Sequence, residues 1–149
     1  MDAICRERVF YFGYVDREGN HILCWDHGRF MNHSCDPNCL SAGFDFEFAV
    51  RDIEPGEQLC DDYGLLNLIE ELECQCGSPR CRGVIRPDDI AGYGLEWDVR
   101  VQTAFPFIGQ APQPLWPLVG CKEQIEAGIR GELAIPSCRL HAFGSSKVC

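Results

Sequence analysis

Three cysteines stand close together at Cys74, Cys76 and Cys81, and thiolates at that spacing can share one metal ion. A closed structural zinc site takes four ligands in a tetrahedron, so the cluster is one ligand short. Spacing leaves Cys35, Cys39 and Cys60 open as the fourth. Gly77, Ser78, Pro79 and Arg80 make a poor core and a good ligand loop, which argues against simple buried thiols. His33 invites a reading as base or ligand, and Asn32-His33-Ser34 also fits the N-x-S glycosylation pattern, although nothing in the chain implies secretion. Taken alone, Tyr63 is most simply a packed aromatic with a tethered hydroxyl.

The surroundings of these residues change that balance. In order along the chain come Arg29-Phe30-Met31-Asn32-His33-Ser34-Cys35-Asp36-Pro37-Asn38, then Gly56-Glu57-Gln58-Leu59-Cys60-Asp61-Asp62-Tyr63-Gly64, then Cys74-Gln75-Cys76-Gly77-Ser78-Pro79-Arg80-Cys81-Arg82-Gly83. This run resembles the SET-domain protein lysine methyltransferases, with their R-F-x-N-H-S-C-x-P-N, E-x-L-x-x-D-Y-G and post-SET C-x-C-x4-C segments. The likeness covers roughly residues 12–86, about half of the chain.

The resemblance implies a set of roles. Cys35 would join Cys74, Cys76 and Cys81 around Zn2+ and hold the post-SET segment against the Asn32-His33 loop. S-adenosylmethionine would lie against Arg29, Phe30, Asn32, His33 (largely through its backbone) and Gln75. Tyr63 would orient the substrate amine and polarise the transferred methyl group. The reaction implied is direct displacement by a neutral lysine nitrogen on a protein or peptide. Two departures stand out. Family members begin with strands carrying a G-x-G segment near the methyl donor, whereas here that pattern occurs only at Gly92-Tyr93-Gly94, beyond the motifs. The expectation is therefore a partial SET domain with weakened cofactor affinity. Asp61 stands where relatives often carry an aromatic or aliphatic side chain beside the lysine channel.

Elements must bring these segments together. Aromatic-rich residues 5–15 and the turn Asp16-Arg17-Glu18-Gly19-Asn20 into residues 21–25 predict a hairpin. Alternation of apolar and acidic residues predicts a half-buried strand over 44–50, and the Glu54-Pro55-Gly56-Glu57 turn leads to a short strand at 58–60. A short helix is expected over 65–73. Pro87-Asp88-Asp89 can open a helix whose buried stripe is Trp97, Val101 and Phe105, ended by Pro106. Pro112, Pro114 and Pro117 imply an extended link, Ile125 and Ile129 another helix stopped by Gly131, and residues 144–149 a frayed end. The expected class is mostly β (α+β): SET-like short-stranded sheets, a zinc-stapled post-SET loop and a small helical C-terminal tail. The segments divide as 1–73, partial SET domain; 74–86, post-SET zinc segment; and 87–149, C-terminal helical extension.

Composition narrows the partners. The 149 residues carry a net charge of −10, with 16 acidic and 8 basic side chains in residues 1–86 and 7 and 5 in residues 87–149. An acidic body repels nucleic acid and favours a basic peptide. No apolar run reaches the length a membrane helix needs, and the first residues lack a signal peptide's pattern, so an intracellular protein is expected, cytoplasmic, or nuclear in a eukaryote. An odd count of 11 cysteines fits metal binding in a reducing compartment better than a disulfide framework. Two rivals remain: a catalytically inactive zinc-binding interaction module, and, less favoured by the charge, a zinc nucleic-acid binder.

Overall fold

The computed structural model describes residues 2–148; Met1 and Cys149, the last of the expected frayed end, lie outside them. Among the described residues, eight short strands form four pairs, and three α-helices accompany them, an α+β fold. Strands β1 (Tyr14–Val15) and β2 (His21–Ile22) are the expected hairpin, antiparallel with Tyr14 opposite Ile22. Its turn is held by the Asp16 carboxylate, which accepts from the Glu18 and Asn20 amides at 2.9 and 2.8 Å.

The hairpin is shorter than expected because residues Ala3–Phe12 form a helix, α1. Asp2 caps it, accepting from the Cys5 amide at 2.8 Å, and the run Phe10-Tyr11-Phe12 has no period-two alternation to favour a strand. None of its residues is buried.

Strand β3 (Asn32–His33) pairs in parallel with β6 (Cys60–Asp61), Asn32 opposite Cys60 and His33 opposite Asp61. Parallel neighbours need a long crossover, and residues 34–59 supply it. That crossover carries β4 (Cys39–Ser41) and β5 (Glu47–Ala49), an antiparallel pair with Leu40 opposite Phe48. The alternation read over 44–50 puts Phe44 and Phe48 against Phe105, ring centroids 6.0 and 5.5 Å apart.

The short helix expected over 65–73 does not form. A 3-10 turn spans Tyr63–Leu65, Asn67 takes a positive φ of 50°, and β7 (Leu72–Glu73) then pairs with β8 (Val84–Ile85). Asn67 is recruited away from a helix by tertiary partners, donating to the carbonyls of Val15 and His141 at 2.9 and 2.8 Å.

The tail supplies the longest elements. Helix α2 (Asp89–Ala104) buries Trp97 and Val101, with Phe105 just beyond it, and α3 (Lys122–Ile129) buries Ile125 before the positive-φ Gly131 ends the turn. These side chains join Leu40, Ala42 and Phe44 of the crossover in the main core. The tail thus supplies most of the main core, and the three sequence motifs are packed onto it.

Candidate active site and metal centre

The parallel β3/β6 pairing lays the first motif along the second. Asn38 staples them: its Oδ1 accepts from the Cys60 amide at 2.8 Å, and its Nδ2 donates to the Gln58 carbonyl at 2.8 Å. With 2% of its surface exposed, this asparagine has its polar atoms satisfied by the second motif. Arg100 of α2 holds the same loop from behind, donating to the Pro37 carbonyl at 2.5 Å and pairing with Asp36 at 3.1 Å.

Tyr63 opens the 3-10 turn that follows β6. Its amide donates to His33 Nδ1 at 3.1 Å, and its hydroxyl donates to the Met31 carbonyl at 2.7 Å. Burial, with the charge of Asp61 and Cys60 added, pushes the phenol above its ordinary pKa, so it remains a donor at neutral pH. Asp61, 4% exposed, is pushed well above the ordinary carboxylate range by burial and by neighbouring Glu47.

The metal-capable group comprises His33, Cys35, Cys74 and Cys76, whose ligand atoms lie within 4.8 Å of one another. Cys35 Sγ is 3.7 Å from Cys74 Sγ, and the Cys35 amide donates to Cys76 Sγ at 3.4 Å. Cys81 Sγ lies 3.6 Å from Cys74 Sγ. Cys81, expected from the sequence as a ligand, falls outside this group, whose fourth member is His33, and so do Cys39 and Cys60. Thiols at these separations match a tetrahedral zinc donor set. Burial opposes the Cys76 thiolate, but N–H donors from Cys35 and Ser78 outweigh it and bring its pKa to about 7, whereas burial pushes Cys74 up to about 12.

His33 occupies a specific place in this arrangement. Because Nδ1 accepts the Tyr63 amide, the proton of the neutral ring sits on Nε2, which then donates to Cys35 Sγ at 3.1 Å. Burial lowers the His33 pKa and keeps the ring neutral. In that tautomer Nε2 faces the Cys35 sulfur as a donor, while burial raises the Cys35 thiol above its ordinary pKa.

The remaining sequence-predicted residues lie on the 3-10 turn His27–Phe30, on β3 and in the cysteine segment. Arg29 donates to the Trp25 carbonyl at 3.1 Å and stacks its guanidinium over Phe30 at 4.7 Å, while the Phe30 ring is more than half exposed. Asn32 presents an exposed side chain on β3, and Gln75 is exposed between two members of the metal-capable group.

Sequence reasoning passed over Asp62 and Arg82. Asp62 is fully buried, accepts from the Gly64 amide at 3.0 Å and receives both ends of the Arg82 guanidinium at 3.0 and 2.5 Å. The signal was present: one residue precedes Tyr63 and the other follows Cys81.

Comparison with known proteins bears on the same residues. The family model for the SET domain matches residues 4–64. The histone-lysine N-methyltransferase TRX1 of Oryza sativa is 40% identical over 78 residues, covering 48% of this chain and 7% of that protein. Drosophila melanogaster ash1, also named a histone-lysine N-methyltransferase, is 46% identical over 66 residues, 38% of this chain and 3% of the relative. Arabidopsis thaliana ASHR3, of the same description, is 42% identical over 64 residues, 38% and 13% respectively. The chain thus spans a small fraction of the length of these relatives.

Proposed function

We propose that this chain, which carries SET-domain sequence in residues 4–64, transfers a methyl group from S-adenosylmethionine to a lysine side chain of a protein. The observation that carries the reading is the bond between the Tyr63 amide and the His33 ring, whose other nitrogen meets Cys35 of the cysteine cluster. One imidazole joins the three motifs, which supports reading Tyr63, the Asn32 loop and the cluster as one site.

In this reading Cys35, Cys74, Cys76 and Cys81 hold Zn2+, with His33 donating to the Cys35 thiolate. The metal would supply a staple and no reaction chemistry. Arg29, Phe30, Asn32, Gln75 and the backbone of His33 hold the methyl donor, whose sulfonium supplies the electrophilic methyl group. The Tyr63 hydroxyl and the Met31 carbonyl mark the point where the lysine nitrogen is oriented. A neutral amine is required, and at pH 7 its deprotonation costs roughly 4.6 kcal/mol from a reference pKa near 10.4. A half-buried phenol beside a cationic donor lowers that cost by disfavouring the ammonium. Alignment supplies much of the rest.

The relatives' descriptions support a histone lysine as substrate and hence a nuclear setting, and the net charge of −10 suits a basic peptide. No helix among the described residues is long and apolar enough to cross a membrane. Incubating the zinc-loaded chain with labelled S-adenosylmethionine and a histone tail peptide tests the reading. Label on lysine that disappears in Tyr63→Phe supports it, and silence of both proteins with persistent peptide binding favours an inactive interaction module.

A further inference from the structure

We propose that Arg82 is a positioning residue for Tyr63, its guanidinium locking the Asp62–Gly64 turn onto the start of α2, so that the C-terminal helix forms the rear wall of the reaction site. Arg82 reaches three segments at once. Its two terminal nitrogens grip the buried Asp62 carboxylate at 3.0 and 2.5 Å, immediately before Tyr63. Its amide donates to Cys35 Sγ at 3.3 Å, in the metal-capable group. Toward α2, its Nε faces Asp89 Oδ2 at 3.6 Å, and its guanidinium lies 4.6 Å from the centre of the Tyr93 ring.

The helix packs directly on the turn. A Cβ at Gly64 would stand 2.9 Å from the Asp89 Cβ and 3.0 Å from the Trp97 ring, so only glycine lets α2 approach this closely. With Asp62 gripped, its Oδ1 holds the Gly64 amide at 3.0 Å and fixes the turn that aims the phenol. A planar two-pronged cation is needed: lysine offers a point charge that cannot grip both carboxylate oxygens while stacking on Tyr93. The sequence shows Arg82 directly after the last clustered cysteine, but nothing in its spacing links it to Tyr93.

The kinetic part of this proposal rests on the methyl-transfer reading, so the test carries a second readout that does not. Arg82→Lys, Arg82→Ala and Tyr93→Ala are compared with wild type, all zinc-loaded and full length, by amide hydrogen exchange and by methyl transfer to a histone tail peptide. Exchange at Gly64 and Leu65 should accelerate about tenfold or more in the Arg82 variants and severalfold in Tyr93→Ala, with Cys39–Ser41 unchanged. In the same variants kcat should fall about tenfold while peptide KM stays within about twofold, and millimolar guanidinium should restore part of the Arg82→Ala loss. Unchanged exchange at Gly64 and Leu65, or acceleration spread evenly over the chain, overturns the proposal. If Arg82→Ala does not fold, Arg82→Lys and Tyr93→Ala decide it. A wild type that transfers no methyl group sinks the methyl-transfer reading alone, and the exchange pattern still decides the role of Arg82.

Discussion

The backbone amide of Tyr63 donates to Nδ1 of His33 at 3.1 Å, and this bond fixes what the imidazole can offer the cysteines. With the proton on Nε2, His33 acts as a donor to Cys35. His33→Ala is therefore expected to retain one equivalent of zinc but to bind it about 10–100-fold more weakly, as outer-shell losses do. Competition with a chromophoric chelator measures this. Complete loss of the metal would instead make His33 a ligand.

Cys35 and Cys39 lie only a few residues apart, yet the fold separates their roles. Cys35 meets Cys74 and Cys76, while Cys39 sits in β4 with its thiol pushed to about 12 by burial and by the charge of Glu47 and Asp61. Cys35→Ser should abolish stoichiometric zinc binding, whereas Cys39→Ser and Cys60→Ser should keep it. Elemental analysis of the three purified variants separates the cases.

Much of this site could be read from residue types. The three motifs named the phenol, the Asn32 loop and the cysteines, and the stripe Trp97, Val101 and Phe105 named the tail's buried face. What remained hidden depends on contacts between distant segments. The parallel β3/β6 pair leaves no periodic mark in two-residue strands, Asn67 is drawn out of a helix by the carbonyls of Val15 and His141, and Arg82 finds Asp62 and Tyr93 only after folding. The helix α1 was missed for a different reason. Its aromatic run suggested a strand, and with no buried face its pattern carried no helical period.

Tyr63→Phe removes the hydroxyl that donates to the Met31 carbonyl and little else. Losing one such bond at a half-buried site costs about 1 kcal/mol, so the melting temperature should fall by only about 2–4 °C. Methyl transfer, in contrast, should fall by about 100-fold or more if the hydroxyl acts in the transition state. Paired calorimetry and transfer assays on the same preparation check both halves. A loss of activity no larger than the loss of stability would remove Tyr63 from the chemistry.

Asp61 gives a pH signature. A carboxyl whose folded pKa lies above its unfolded value of 3.8 favours the fold while protonated; that contribution is complete below 3.8 and is lost as pH rises through the folded value. Burial is the chief cause of the shift, followed by the charge of Glu47. Asp61→Asn keeps an oxygen for the Asp62 amide, now accepted at 2.6 Å, and gains an amide that can donate to Glu47 without a shared proton. The variant should therefore match wild type near pH 4 and become progressively more stable than it toward pH 8. Each kcal/mol of that advantage should raise the melting temperature by about 2–4 °C in a chain of this size. Melting curves across that range measure the difference, and an advantage that shrinks as pH rises would show that Asp61 is ionised and satisfied in the folded protein.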